Sequence, residues 1–217
     1  MAFNIRTVVS MPFAENTYVV WQPNRPDAVV IDPGLEPELI FDVLRDEELT
    51  VAAILNTHGH GDHIGGNAAL KQAFPTAPLV IGAAEARLLT DAMANLSGLF
   101  GAAVTSPPAD RLVREGDVVE AAGIRFEVLD VPGHSPGHVV FLCRTTPVLV
   151  FGGDVLFREG IGRYDFPGSD GRLLLQGIRQ KLLPLPADTV VYPGHGPVTT
   201  IGHERRANPF LDLFAES

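Results

Sequence analysis

The chain has 217 residues, 46% hydrophobic and 19% charged, the proportions of a folded globular protein rather than a disordered one. Its 16 basic and 26 acidic side chains leave a formal net charge of −10, and no basic run exceeds Arg205-Arg206, which argues against nucleic acid as a partner. The single cysteine, Cys143, excludes an internal disulfide and a cysteine-rich zinc scaffold, and no apolar run approaches the roughly 18 residues of a membrane span.

The opening Met1-Ala2-Phe3-Asn4-Ile5-Arg6 lacks a charged segment leading into an apolar stretch, so a soluble, unprocessed, cytoplasmic chain is expected, with no membrane partner. Residues 17–20 (Thr-Tyr-Val-Val) and 28–31 (Ala-Val-Val-Ile) predict antiparallel strands at one sheet edge, with Pro23, Asn24 and Pro26 turning between them. Asp32-Pro33-Gly34 ends the second strand, and Leu39, Ile40, Val43 and Leu44 then recur at helical spacing after Pro37. Residues 51–55 return to strand. Further helices are expected at 66–73, 83–96 and 170–182, and strands at 124–131, 138–143, 147–151 and 188–192. Neither a repeat nor a low-complexity linker divides the chain, which reads as one domain over 1–217. This order suits an α/β fold with helices covering sheets, and pattern alone leaves a doubly wound sheet and a two-sheet sandwich both open.

The strongest chemical signal follows the strand that ends near Asn56. Thr57-His58-Gly59-His60-Gly61-Asp62-His63-Ile64-Gly65-Gly66 packs three imidazoles and a carboxylate into six positions. That is more donor capacity than one tetrahedral ion takes from so short a loop, so the cluster can serve two ions side by side. Gly59 and Gly61 let the backbone turn between ligands. Three later segments each leave an apolar run, turn sharply and present a ligand-type side chain: Pro132-Gly133-His134-Ser135-Pro136-Gly137-His138, Gly152-Gly153-Asp154 and Tyr192-Pro193-Gly194-His195-Gly196. Taken singly, each histidine could serve the fold and Asp154 could cap a turn. Their repetition at strand ends points to a common cleft.

HxHxDH followed by a distant His, an Asp and a last His resembles the metallo-β-lactamase superfamily, and within it the glyoxalase II (hydroxyacylglutathione hydrolase) branch. The likeness is to its short bacterial forms, which lack the C-terminal helical domain; here 22 residues follow His195. The likeness runs from Asn16-Thr17-Tyr18 through Asp32-Pro33-Gly34 to Thr199-Thr200-Ile201-Gly202 and Asn208-Pro209-Phe210-Leu211. It implies a four-layer αβ/βα sandwich with metals at one edge. It also implies that His58, His60 and His134 hold one ion, that Asp62, His63 and His195 hold the second, and that Asp154 bridges them. Two divalent ions are expected as cofactors, zinc first, with iron and manganese also suited to these donors. A hydroxide between them would attack a carbonyl, with Asp62 orienting it or accepting a proton.

The same resemblance makes residues 157–170 the substrate loop, with Arg163 and Tyr164 as substrate-binding candidates; the bland alternative for Arg163 is an ion pair with Asp165 or Asp170. Ile161 stands where many relatives carry Cys, and Arg163-Tyr164-Asp165-Phe166 is closer to persulfide dioxygenases and short hydrolase-like proteins than to full-length glyoxalase II. The leading reading is a binuclear thioesterase acting on a small-molecule substrate, S-lactoylglutathione or a related acyl thioester. The alternatives are a mononuclear iron persulfide dioxygenase using His58, His134 and Asp154, another hydrolase of the superfamily such as a lactonase, and a non-enzymatic metal-binding module. A β-lactamase is not suggested, since the second site lacks a cysteine and nothing in the chain points to secretion. For His138, support of the site and plain packing stand level; His203 reads as a capping or surface residue and Cys143 as a buried structural thiol. The 83–96 segment with Leu99-Phe100 would either close over the cleft or form a subunit contact in a homo-oligomer.

Overall fold

The structure, a computed structural model, describes residues 3–213; Met1 and Ala2 of the N-terminal stretch, and residues 214–217, lie outside it. The chain builds β1 (Asn4–Ser10), β2 (Glu15–Trp21), β3 (Asp27–Ile31), α1 (Pro37–Asp46), β4 (Thr50–Asn56), the single turn α2 (Gly61–Ile64), α3 (Asn67–Ala73), β5 (Leu79–Gly82), β6 (Arg111–Val113) and β7 (Val118–Ala121). Then follow β8 (Ile124–Asp130), β9 (Val139–Cys143), β10 (Leu149–Gly153), the hairpin β11 (Leu156–Phe157) and β12 (Gly160–Ile161), α4 (Gly171–Gly177), β13 (Val190–Pro193), β14 (Thr199–Thr200) and α5 (Ile201–Ala207).

Two six-stranded mixed sheets result, ordered β1-β2-β3-β4-β5-β6 and β14-β13-β10-β9-β8-β7. Between them pack Tyr18, Val20, Val29, Ile31 and Leu55 from the first sheet and Phe126, Phe141 and Phe151 from the second. The opposite face of the first sheet buries Val19, Val30 and Ile54 against Ile40 and Leu44 of α1 and Leu70 of α3. The outer face of the second buries Val140, Leu142, Val150 and Val191 against Leu174 and Leu175 of α4 and Ile201 of α5. Central strands therefore have both faces covered, and this is why they read as continuous apolar runs rather than alternating ones. The arrangement is the four-layer αβ/βα sandwich.

Two expectations need correction. The strands at 17–20 and 28–31 do pair antiparallel, but β1 lies outside them and forms the edge. β1 is largely exposed, so its sequence carries too little apolar pattern to announce a strand. The helix expected over 83–96 is instead a 3-10 helix at Ala83–Leu89, followed by turns and a second short 3-10 helix at Ser97–Phe100. Asp91 takes the N–H groups of Met93 and Ala94 on its carboxylate, and Asn95 donates to the carbonyls of Leu88 and Val104. These side-chain bonds compete with a continuing helical ladder. The 170–182 segment is helical, capped by Asp170 accepting from Arg172 and Leu173, and it continues past α4 as a π turn over Ile178–Leu182.

Candidate metal centre

Every chemically marked segment leaves its sheet at the same edge. His58 follows β4, His134 follows β8, Asp154 follows β10 and His195 follows β13, and a bridge between Glu15 and His195 joins the two sheets there. α2 turns the loop back so that His63 faces inward; Asn56 Nδ2 donates to the His63 carbonyl at 2.9 Å, and Asn67 Nδ2 donates to Asn56 Oδ1 at 2.9 Å. The close approaches require glycine at two points. Gly153 has φ +48°, and a β-carbon there would collide with Thr57 and crowd His138, while one on Gly194 would collide with the Asp154 carboxylate and His63.

His60 Nδ1 lies 3.1 Å from His58 Nε2 and 2.9 Å from His134 Nε2. Ligand atoms around a tetrahedral ion with bonds near 2.0–2.1 Å are about 3.3 Å apart, so these three nitrogens are close to a ligand spacing. His63 Nε2 and His195 Nε2 are 3.3 Å apart, and Asp62 Oδ2 is 3.7 and 3.4 Å from them. Asp154 lies between the groups: Oδ2 is 3.4 Å from His134 Nε2 and 3.6 Å from His195 Nε2, and Oδ1 is 3.5 Å from His63 Nε2. Asp154 Oδ1 is buried without a hydrogen-bond partner. A buried carboxylate oxygen without a hydrogen bond, facing convergent imidazoles, fits a cation as its missing partner. The two triads, His58-His60-His134 and Asp62-His63-His195, both have the donor spacing to hold a metal; an overlapping set, Asp32-His58-His63, also meets it.

The surroundings fix which ring nitrogens face the centre. His134 Nδ1 faces the Arg163 carbonyl at 2.8 Å, His195 Nδ1 the Phe13 carbonyl at 3.1 Å, and His63 Nδ1 the Asp32 Oδ2 at 3.3 Å. Carbonyls and carboxylates only accept, so each Nδ1 carries the proton and each Nε2 lone pair is left for an ion. Asp32 also accepts from the Thr57 backbone N–H at 2.7 Å and the Thr57 hydroxyl at 2.6 Å, and it does so from a left-handed conformation, φ +49°. His138 stacks on His58, ring centroids 4.7 Å apart, and its Nε2 accepts the Asp154 backbone N–H at 3.1 Å. Glu85 accepts from Gly59 N at 2.8 Å and Gly137 N at 2.6 Å, joining the two histidine loops through one buried carboxylate.

Sequence reasoning did not single out Asp32 or Glu85 as site residues. Asp32 marked only a turn and Glu85 sat inside an expected helix; their partners are 25 to 52 residues away in sequence.

Burial, reinforced by neighbouring imidazoles, holds His58 and His60 well below the usual histidine range, and burial also lowers His134. Burial opposes charge on His63 and His195 as well, but Asp62 and Asp154 outweigh it and raise both. Burial would raise Asp62, yet His63 and His195 pull its carboxyl well below the usual range. The metal-free centre thus has a neutral half and an ion-paired half.

A cleft of about 340 Å³ opens over the centre, lined by His60, Asp62, His134, Asp154 and His195 together with the apolar Phe13, Leu35, Leu96, Phe100, Val104, Phe157 and Phe166. Arg163 lines it, but its guanidinium makes a bidentate pair with Asp165, both contacts 2.9 Å, and lies 4.1 Å over the Phe166 ring. The ion-pair alternative for Arg163 is therefore realised with Asp165. Tyr164 sits with its ring against Gly171 at the start of α4 and is not among the cleft-lining residues. His203 pairs with Glu159 at 2.9 Å, away from the cleft.

The sequence profile of the Metallo-beta-lactamase superfamily matches residues 11–195, a span that contains every candidate donor from His58 to His195. The chain belongs to the metallo-β-lactamase superfamily. Its relatives include the hydroxyacylglutathione hydrolase GloC of Haemophilus influenzae, 39% identical over 216 residues, 96% of this chain and 98% of that protein. Among solved structures, the B3 metallo-β-lactamase BLEG-1 superposes with TM-score 0.91 at 40% identity, over 96% of this chain and 99% of that one. TTHA1623 in a di-iron-bound form superposes with TM-score 0.84 at 40% identity, over 95% of this chain and 100% of that one. The chain is a metallo-hydrolase-family enzyme with a hydroxyacylglutathione hydrolase among its relatives. Among the described residues, no helix is long and apolar enough to cross a membrane.

Proposed function

We propose that this superfamily member is a binuclear thioesterase that hydrolyses S-lactoylglutathione or a related acyl thioester. The observation that carries the reading is Asp154, a buried carboxylate lying between two ligand triads at 3.4–3.6 Å from histidines of both. In this assignment His58, His60 and His134 hold one ion, Asp62, His63 and His195 the other, and Asp154 bridges. Bound ions lower the pKa of coordinated water and polarise the substrate carbonyl. Asp62, kept ionised beside His63 and His195, would orient the attacking water at the cleft floor. The Arg163 and Phe13 carbonyls keep His134 and His195 in the tautomer that presents Nε2.

Imidazole and carboxylate donors accept zinc, iron and manganese; we take zinc first, and the di-iron form of TTHA1623 supports a two-ion centre whichever metal fills it. The GloC likeness supports the thioester, and a lone unpaired thiol suits a cytoplasmic setting. A second reading, β-lactam hydrolysis, is favoured by the BLEG-1 likeness, which weakens the sequence argument against it; the shared fold does not choose between them. The test is hydrolysis of S-lactoylglutathione by the metal-loaded protein, with a chromogenic β-lactam and glutathione persulfide run in parallel. Thioester turnover with about two ions per chain supports the reading. β-Lactam turnover alone moves it to the second, and oxygen uptake with one iron per chain rejects both.

A further inference from the structure

The cleft wall beside the metal centre is aromatic and touches the proposed ligands themselves. The Phe166 ring lies 5.8 Å from His60 and 6.2 Å from His134, and Phe157 lies 6.1 Å from His195. Phe13, whose carbonyl holds His195, meets Phe100 edge-on at 6.2 Å. Both rings of that pair line the cleft, yet Phe13 is 46% and Phe100 62% exposed. Large aromatic surfaces kept in water beside a reactive centre are sites for an apolar ligand group.

Charge points the same way. Among the described residues lining the cleft, Arg163 is the one arginine or lysine, and Asp165 already engages the Nε–Nη2 edge of its guanidinium. The carboxylates of a glutathione moiety meet no further basic side chain among the described lining residues, and the chain's net charge of −10 gives no long-range attraction.

We infer, resting on the thioesterase reading, that the preferred substrate is a thioester of an apolar acyl group, with Phe13 and Phe100 as specificity-determining residues. Biological thiols are polar, so the apolar part of such a substrate is the acyl chain, and it lies against this wall while the thiol portion points to solvent.

The test uses the metal-loaded full chain and S-acyl N-acetylcysteamines from acetyl to octanoyl, with S-acylglutathiones of matched acyl groups. The expected result is a kcat/KM that climbs roughly fourfold for each of the first added methylenes, the factor for burying a CH₂. Matched glutathione esters should gain less than threefold over the neutral thiol. Phe100→Ser should flatten the climb while metal content and circular dichroism stay unchanged, since its ring is largely outside the core. If thioesters are hydrolysed with no dependence on chain length, if glutathione esters are tenfold better, or if Phe100→Ser keeps the full climb, the inference is overturned and the thioesterase stands. If the two-ion protein hydrolyses no thioester, the functional reading fails and the inference with it.

Discussion

The backbone N–H of Asp154 donates to His138 Nε2 at 3.1 Å, so an imidazole outside both triads anchors the residue between them. His138 is fully buried, burial holds it neutral, and it stacks on His58. It therefore acts on the centre through Asp154 and His58. His138→Leu should weaken metal binding by about 10- to 100-fold, the usual effect of losing a supporting partner. His138→Gln, which can still accept a hydrogen bond, should recover part of it. Competition with a chelator of known affinity measures both, and equal affinity in His138→Leu and wild type would assign His138 to packing alone.

The two halves of the centre should part company in acid. His58, His60 and His134 are lowered and stay neutral below the usual histidine range, so an ion there displaces few protons. His63 and His195 are raised by Asp62 and Asp154, so they keep their protons to a higher pH than the first triad, and an ion must expel them. Falling pH thus penalises the Asp62-His63-His195 site first. Metal content, near two per chain at about pH 8, should pass through a plateau near one at about pH 6. Metal analysis after dialysis at each pH checks this, and loss of both ions in one step would refute it.

Glu85 joins the His58-His60 loop to the His134-His138 loop. Glu85→Ala leaves the N–H groups of Gly59 and Gly137 without their acceptor and should cost about 2–4 kcal/mol. Burial raises its carboxyl despite those two donors, so the native state binds its proton more tightly than the unfolded chain. Its contribution is then full below the ordinary Glu value and declines as pH rises through the raised one. Urea unfolding of metal-free wild type and Glu85→Gln at about pH 4 and pH 7 should show the wild-type advantage shrinking at the higher pH. An advantage that grew with pH would reverse the sign.

Cys143 is 1% exposed inside the sheet core, and burial, with Glu127 nearby, pushes its thiol up to about 12. At pH 8 a thiol reagent should find no reactive cysteine in the folded protein and one after denaturation. Rapid labelling of the native chain would contradict the buried placement.

The candidate donors were legible because each donor type carries its own chemistry and most of them flank a glycine turn at a strand end. His58, His60, Asp62, His63, His134, Asp154 and His195 all converge, and the buried strands announced themselves as apolar runs. What stayed hidden acts across the chain or against local preference. Asp32 reaches Thr57 and His63 from 25 and 31 positions away, and nothing in Asp-Pro-Gly distinguishes such a carboxylate from a turn residue. Ala83–Leu89 and the following Ala, Met and Leu residues favour a helix, but Asp91 and Asn95 redirect the backbone through side-chain hydrogen bonds. β1, β6 and β7 are short or exposed, and their pairing, not their composition, makes them strands.

The most direct test of the central claim is metal content and thioester turnover of Asp154→Ala beside the wild type. The wild type should carry about two ions per chain and hydrolyse the thioester, and Asp154→Ala should lose activity and bind fewer ions because both triads lose their shared carboxylate. An Asp154→Ala protein that retained both ions and full turnover would contradict the bridged binuclear centre.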